Sequence, residues 1–499
     1  MLRIQRLSCF LIWMNPFWIQ LLYFLFISSF GFFILVVLNP KTTSNNSFNP
    51  KKLDLFFTSV SASTVSSMST VEMEVFSNSQ LIVLTILMFI GGEVFTSMVE
   101  LQLRKFKLKF SEQKIACVSS DLSVELGIVR NNNTLDIIIL KYNSIKFLGF
   151  VVLGYLLIFN FLGIGMVLIY FKFVSSARQV LEQKGLKLST FSIFLIVSTF
   201  ASCGFVPTNE NMIVFKKNLG LLIILIPQAL IGNTLFPSCL RICIWSLGKF
   251  MKKKKEIVGF LLKNSEEIGY LHLLPKLHSL LLVGSVLGFV LMQFVAIGAM
   301  EWRSNALSGL NCVEKLIGIL FLSVNSRHSG ESIVDLSRLS SAILLLFVAM
   351  MYLPPYTSFM PIKIDEGEEE ENQLLEANKR SRKIKRAKFM DNFVFSQLFY
   401  LIIFIFIICI TERHNIKEDP LNFNIFNIIF EVISAYGNVG FTMGYNCKRQ
   451  IHPQSNCADK SFGFSGKWSD NGKVVLIVVM IFGRLKKFNM NKQRPWKLL

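Results

Sequence analysis

Four short stretches carry the residues able to do chemistry: "VSASTVSSMST", "VSTFASCGFVP", "SVNSRHSGESI" and "ISAYGNVGFTM". Set in register, they bring Ser67, Gly204, Gly330 and Gly440 into one column, with Ser61, Ser198, Val324 and Ser434 six residues upstream. These turns are polar and almost free of acidic side chains, and three of the four bear glycine. What they can offer a ligand is backbone carbonyl oxygen. A ring of carbonyls replaces the water shell of a dehydrating cation. Glycine suits such a ring because it adopts positive φ freely, where other L-residues lose roughly 1–2 kcal/mol. The scarcity of carboxylates fits a monovalent cation better than calcium.

Other chemistry finds little support. "GFSGKW" lacks the Walker spacing of a nucleotide-binding loop, and neither H-E-x-x-H nor a nucleophile elbow occurs. The nine cysteines include no CxxC pair, so neither a resident metal nor a cofactor is expected. The chain reads as a non-enzyme.

The elements that hold the turns follow from hydropathy. Of 499 residues, 52% are hydrophobic and 17% charged, with 48 Phe; the mean hydropathy is +0.51. Soluble domains carry about a quarter charged residues and lack repeated apolar runs of about 20. Such runs occur at Phe17–Leu38, Gln80–Met98, Phe150–Phe171, Leu219–Trp245, Leu280–Met300, Ser340–Met360 and Phe393–Ile410, with a shorter one at Val474–Phe482. The first run is too long for a signal h-region and no A-x-A site follows it, so it reads as a retained helix. Each turn follows a mildly apolar segment too short to cross a bilayer and precedes a longer run. Irregular backbone at membrane depth is tolerated only where protein or a watery cavity surrounds it. Four equivalent turns therefore predict four walls of one pore.

Charge sets orientation. The formal net charge is +20, and basic residues cluster at run ends: "RKFKLK" (Arg104–Lys109), "KKKK" (Lys252–Lys255) and "KRSRKIKRAK" (Lys379–Lys388). With the basic ends of the chain they define a cytosolic side that holds both termini. Removing these flanks leaves no basic, aromatic-interleaved domain, which excludes nucleic acid as a partner. The acidic run Asp365–Asn372 reads as a solvated linker. On the opposite side, Asn45 of "NNS" is a glycosylation sequon, and Cys447 and Cys457 share a connection where a disulfide is permitted. "NNT" at Asn132 falls on the cytosolic side. His328 stands beside the third turn, where structural support and pH sensing are both open. Arg484 follows the short last run. As nine apolar residues cannot cross about 30 Å, it reads as lying near the pore below the turns, against the alternative of a cytosolic anchor. Arg241 is expected to snorkel toward the cytosolic face.

Taken together, "DLFFTSVSASTVSSMSTVEMEVFSN", "STFASCGFVPTNENM", "GNTLFP", "VNSRHSGESIVDLS", "MMYLPPYTSFMP" and "EVISAYGNVGFTMGYNC" resemble the plant high-affinity potassium transporter (HKT) family, within the Trk/Ktr/HKT superfamily. The resemblance runs from about residue 17 to near the C-terminus. It implies an all-α membrane protein of eight transmembrane helices, arranged as four M1–pore loop–M2 repeats around a single pore. The repeats would occupy 1–105, 106–249, 250–362 and 363–499. It implies a selectivity filter of Ser67, Gly204, Gly330 and Gly440, a flux-limiting basic residue at Arg484, and a homodimer with one pore per subunit. Serine in the first column resembles the sodium-selective subfamily, whereas members with four glycines tend also to carry potassium. Asn209 and Asn233 are uncharged where an aspartate favours potassium.

The function expected is passive, sodium-selective uniport across the plasma membrane. A potassium transporter or sodium–potassium symporter of the same fold is the alternative, and a multi-span receptor or membrane enzyme a more distant one.

Overall fold

The computed structural model describes residues 16–41, 50–122, 132–251, 254–356, 397–451, 457, 459–460 and 463–489. The Asn45 sequon, the acidic run 365–372 and the basic run 379–388 lie outside them.

Among the described residues one order of elements recurs four times: a long apolar helix (15 residues in the fourth unit), a short helix, an extended turn and a second long helix, cut to 12 residues in the third unit. In the first unit these are Pro16–Val37, Lys52–Ser63 and Asn78–Gly91, the last continuing as Glu93–Leu122. The second has Asn132–Phe173, Leu188–Phe200 and Leu219–Gly232, continuing as Phe236–Phe250. The third has Lys276–Glu301, Cys312–Asn325 and Ser341–Tyr352; the fourth has Gln397–Thr411, Ile425–Gly437 and Asp470–Asn489.

The long helices turn apolar faces outward. Phe26, Phe30, Phe33, Phe161, Leu280 and Phe406 are all exposed, a pattern that suits lipid rather than water. The short helices do the reverse: in Leu188–Phe200, every residue from Thr190 onward except Ile193 is buried. Their hydroxyls are satisfied locally, Thr58 Oγ1 donating to the Asp54 carbonyl at 2.8 Å and Ser323 Oγ to the Ile319 carbonyl at 2.8 Å. This back-bonding lets serine and threonine sit in a dry interior.

Packing closes the units into a cycle. Each short helix contacts the second long helix of the unit before it: Leu188–Phe200 meets Asn78–Gly91, Cys312–Asn325 meets Leu219–Gly232, and Ile425–Gly437 meets Ser341–Tyr352. Lys52–Ser63 meets Asp470–Asn489, joining first to last. That seam holds a buried ion pair, Lys473 Nζ to Asp54 Oδ1 at 2.8 Å. Asp54 lies in the first turn of its helix, where the dipole favours a carboxylate. Removing one partner of such a pair costs about 3–5 kcal/mol, because the other charge is left buried.

Three described helices (Phe17–Val37, Ile139–Phe173 and Lys276–Glu301) are long and apolar enough to cross a membrane, five if each bent pair counts once. The expected spans therefore need correction. Gln80–Met98 is two helices bent by 53° and Leu219–Trp245 two bent by 83°. The first bend falls at Gly91 and Gly92, the second at Asn233–Leu235, just before Pro237. Paired small residues and proline are ordinary causes of kinks. The run at Ser340 stops being helical at Tyr352, because Pro354 and Pro355 follow. The last helix, conversely, does not end with its apolar run. Its 20 residues carry Lys473, Arg484 and Lys486, and at 1.5 Å per residue reach about 30 Å.

Candidate functional site: a four-walled constriction

Each short helix ends by turning its backbone left-handed. Ser67 (φ 54°), Gly204 (85°), Gly330 (65°) and Gly440 (97°) all have positive φ. Two residues earlier, Val65 (53°), Ser202 (59°) and Asn438 (53°) do so too. The reversal is fixed by bonds back to the helix: Ser66 N to Ser61 O, 2.8 Å; Cys203 N to Ser198 O, 2.8 Å; and Val439 N to Ser434 O, 3.1 Å. The third turn differs. There Gly330 N donates to Asn325 O at 3.1 Å, one residue later than in the others, and His328 stays outside the left-handed region.

The four turns abut in order. A Cβ on Gly204 would collide with the Ser329 carbonyl, one on Gly330 with the Val439 carbonyl, and one on Gly440 with the Ser67 side chain. The Cys203 thiol reaches the Ser67 backbone, which closes the circuit. Ser67, Gly204 and Gly440 line a single cavity together with Glu72, Asn209 and Thr442. Carboxyls brace the walls from behind. Thr199 Oγ1 donates to Glu331 Oε1 at 2.5 Å, tying the second short helix to the third turn. Thr442 Oγ1 donates to Glu431 Oε1 at 3.0 Å within the fourth.

A second glycine set escaped sequence reasoning. Gly91, Gly232 and Gly483 lie where the second long helix crosses the end of its own short helix. A Cβ on any of them would collide with the carbonyl of Ser63, Phe200 or Tyr436 respectively. A different close approach lies between the third and fourth units, where Gly437 of the fourth short helix stands against the Met351 carbonyl.

Arg484 directly follows Gly483. Its Nη2 donates to the Gly91 carbonyl at 2.5 Å, and the guanidinium stands over the Phe24 ring at 5.7 Å. It lines a cavity with Gln20, Phe24, Glu93 and His272, within electrostatic reach of Glu93 and Cys203. Lys486 Nζ lies 3.4 Å from the Tyr436 carbonyl, at the end of the fourth short helix. Both cations thus stand beneath the turns, at helix C-termini that carry partial negative charge.

His328 is buried; its Nδ1 lies 2.5 Å from the Val324 carbonyl, so it donates there, and its Nε2 accepts from Thr234 Oγ1 at 2.8 Å. With both nitrogens engaged in the neutral form, the ring supports the third turn. Asn209 Nδ2 donates to Glu72 at 3.0 Å, above the constriction. Asn233 sits at the break after Gly232. Arg241 donates to the Leu274 and Leu262 carbonyls at 2.8 and 3.2 Å. A disulfide joins Cys447 and Cys457, with Cα atoms 5.9 Å apart.

The TrkH family, described as a cation transport protein, matches residues 139–491. The rice (Oryza sativa subsp. japonica) "Cation transporter HKT1;3" is 46% identical over 504 residues, covering 97% of this chain and 92% of its own. The Arabidopsis thaliana "Sodium transporter HKT1" is 50% identical over 474 residues, covering 93% and 91%. Among solved structures, the potassium transporter TrkH of Vibrio parahaemolyticus shares the fold at a TM-score of 0.51 and 15% identity, over 95% of this chain and 83% of that one.

Proposed function

As this chain belongs to the TrkH cation transport family and to its plant HKT branch, we propose that it is a sodium-selective, channel-like uniporter whose filter is the column Ser67, Gly204, Gly330 and Gly440. Passive cation transport comes with the family; the receptor and enzyme readings fall with it. Sodium as the preferred ion draws on the name of the Arabidopsis relative and on the lone serine among three glycines.

One observation carries the filter reading. Four left-handed turns abut in a closed order, each at the C-terminal end of a buried short helix. Left-handed backbone re-aims carbonyls that would otherwise continue the helix, and the helix ends add partial negative charge toward the same place. No carboxylate stands in the column itself, so its ligands are neutral carbonyl dipoles, which suit a monovalent cation better than calcium. In this reading the four units are the repeats 1–105, 106–249, 250–362 and 363–499, each crossing the bilayer twice. The protein sits in the plasma membrane with both termini cytosolic, and two lipid-embedded copies make a homodimer with one pore apiece.

Voltage clamp of cells lacking an endogenous sodium conductance tests it. The reversal potential is expected to move by about 59 mV per tenfold change in external sodium and hardly at all with external potassium. A reversal that follows potassium would favour the potassium-transporter or symporter alternative.

Arg484 is the candidate constriction below the filter. A fixed guanidinium beside the ion path repels a cation by roughly 1–4 kcal/mol at about 4 Å, for effective dielectrics between water and a protein surface. Arg484→Gln should raise current per surface-expressed protein up to about tenfold, with sodium preference retained because selection occurs above it. An anchor would change surface abundance and leave the normalised current equal to wild type.

A further inference from the structure

The fourth connection returns over the turns as a hairpin. Tyr445 and Lys460 exchange both backbone hydrogen bonds, at 2.7 and 2.9 Å. Around that bridge runs the Cys447–Cys457 disulfide, and Asp459 Oδ1 accepts from the Cys447 amide at 2.7 Å. Tyr445 lies only five residues beyond Gly440, so the hairpin is continuous with the fourth turn.

What it places is an ammonium group. Lys460 Nζ donates to the Thr70 carbonyl at 3.4 Å, three residues beyond Ser67. It lines a cavity with Thr70, Glu72, Asn209 and Glu210, and Glu72 and Asn209 also wall the cavity that contains Ser67, Gly204 and Gly440. The two spaces are therefore neighbours, and Lys460 overlooks the outer one.

The charges facing it are Glu72, Asp54, Lys467 and Lys473, with Glu210 and Asp459 in the same cavity. Most of the acids are already engaged. Asp54 pairs with Lys473 at 2.8 Å, Glu210 with Lys184 at 2.7 Å, and Glu72 accepts from Asn209 at 3.0 Å. Among the described residues no carboxylate comes within salt-bridge distance of Lys460, so its charge projects into the cavity.

We infer that Lys460 sets permeation at the outer mouth: its hairpin-held ammonium lowers the local cation concentration above the filter and limits uptake when external salt is low. The inference rests on the reading of the column as the ion path. It assigns the disulfide a purpose, to hold that charge in place.

The test is inward sodium current per surface-expressed protein, in media of about 10 mM and about 150 mM ionic strength set with an impermeant salt. There the Debye lengths are about 30 Å and 8 Å. Lys460→Gln should raise the current about two- to fivefold at low ionic strength and much less at high. Lys460→Arg, which keeps the charge, should match wild type at both. An external reductant applied to wild type should move the current in the same direction as Lys460→Gln, which keeps the test open if that variant fails to reach the surface. Equal normalised currents for Lys460→Gln and wild type at low ionic strength would overturn the inference. So would a change shared by the Gln and Arg variants and indifferent to salt, the mark of a mere backbone tether. Absence of cation current in wild type would overturn the transport reading itself, and this inference with it.

Discussion

Gly204→Ala is expected to abolish cation current while the protein still reaches the cell surface. Gly204 has φ +85°, a conformation in which an L-residue loses about 1–2 kcal/mol. The larger effect is steric. The added methyl would occupy the space of the Ser329 carbonyl, and a backbone group cannot step aside as a side-chain tip can. Either the second turn or the third must shift, and a shifted carbonyl no longer coordinates. Gly284→Ala is the matched control: Gly284 lies within the helix Lys276–Glu301 and a Cβ there meets no atom within 4 Å. It should conduct as wild type does. Surface biotinylation with whole-cell current separates lost conduction from lost protein. Gly330→Ala and Gly440→Ala carry the same expectation. If all three alanine variants reached the surface and conducted normally, the column would not be the filter.

The column was legible because its demand is local. Positive φ favours glycine, and three of the four turns carry one at the column, so the fourth, with Ser67, is placed by register. Hydropathy likewise exposed the long helices, since lipid asks for apolar side chains over a fixed length. What stayed hidden depends on contacts between distant segments. Gly91, Gly232 and Gly483 serve close helix crossings, and their spacing from the column changes with the length of each intervening loop, so no register aligns them. Asp54 and Lys473 are 419 residues apart, and nothing local pairs them until the cycle closes and brings them to 2.8 Å. Arg484 could be placed near the pore from the shortness of its apolar run, but its partner, the Gly91 carbonyl, is 393 residues away in sequence. The bend after Gly232 was readable in "GNTLFP", where a proline follows a glycine and an asparagine; hydropathy, averaging over the break, concealed it.

Ser67→Gly has the second large effect, on selectivity rather than on flux. Ser67 holds φ 54°, so it keeps a conformation that glycine would adopt without strain, and such strain clusters at functional sites. Its side chain also stands against Gly440: a Cβ placed there would collide with the Ser67 Cβ. Serine thus fills the seam between the first and fourth walls. Removing the CH2OH group frees the Ser67 backbone and opens that seam, which lets the carbonyl ring relax toward the larger potassium ion. The substitution removes both bulk and a hydroxyl from the ring, so it changes cavity size and ligand field together. A tenfold fall in the sodium-to-potassium permeability ratio corresponds to about 1.4 kcal/mol, comparable to the strain and contact removed.

The decisive measurement is the reversal potential of Ser67→Gly beside wild type, with sodium outside, potassium inside and equal surface expression. The account predicts a shift in the negative direction, about 59 mV for each tenfold loss of sodium preference. A Ser67→Gly protein that conducts and reverses where wild type does would contradict it.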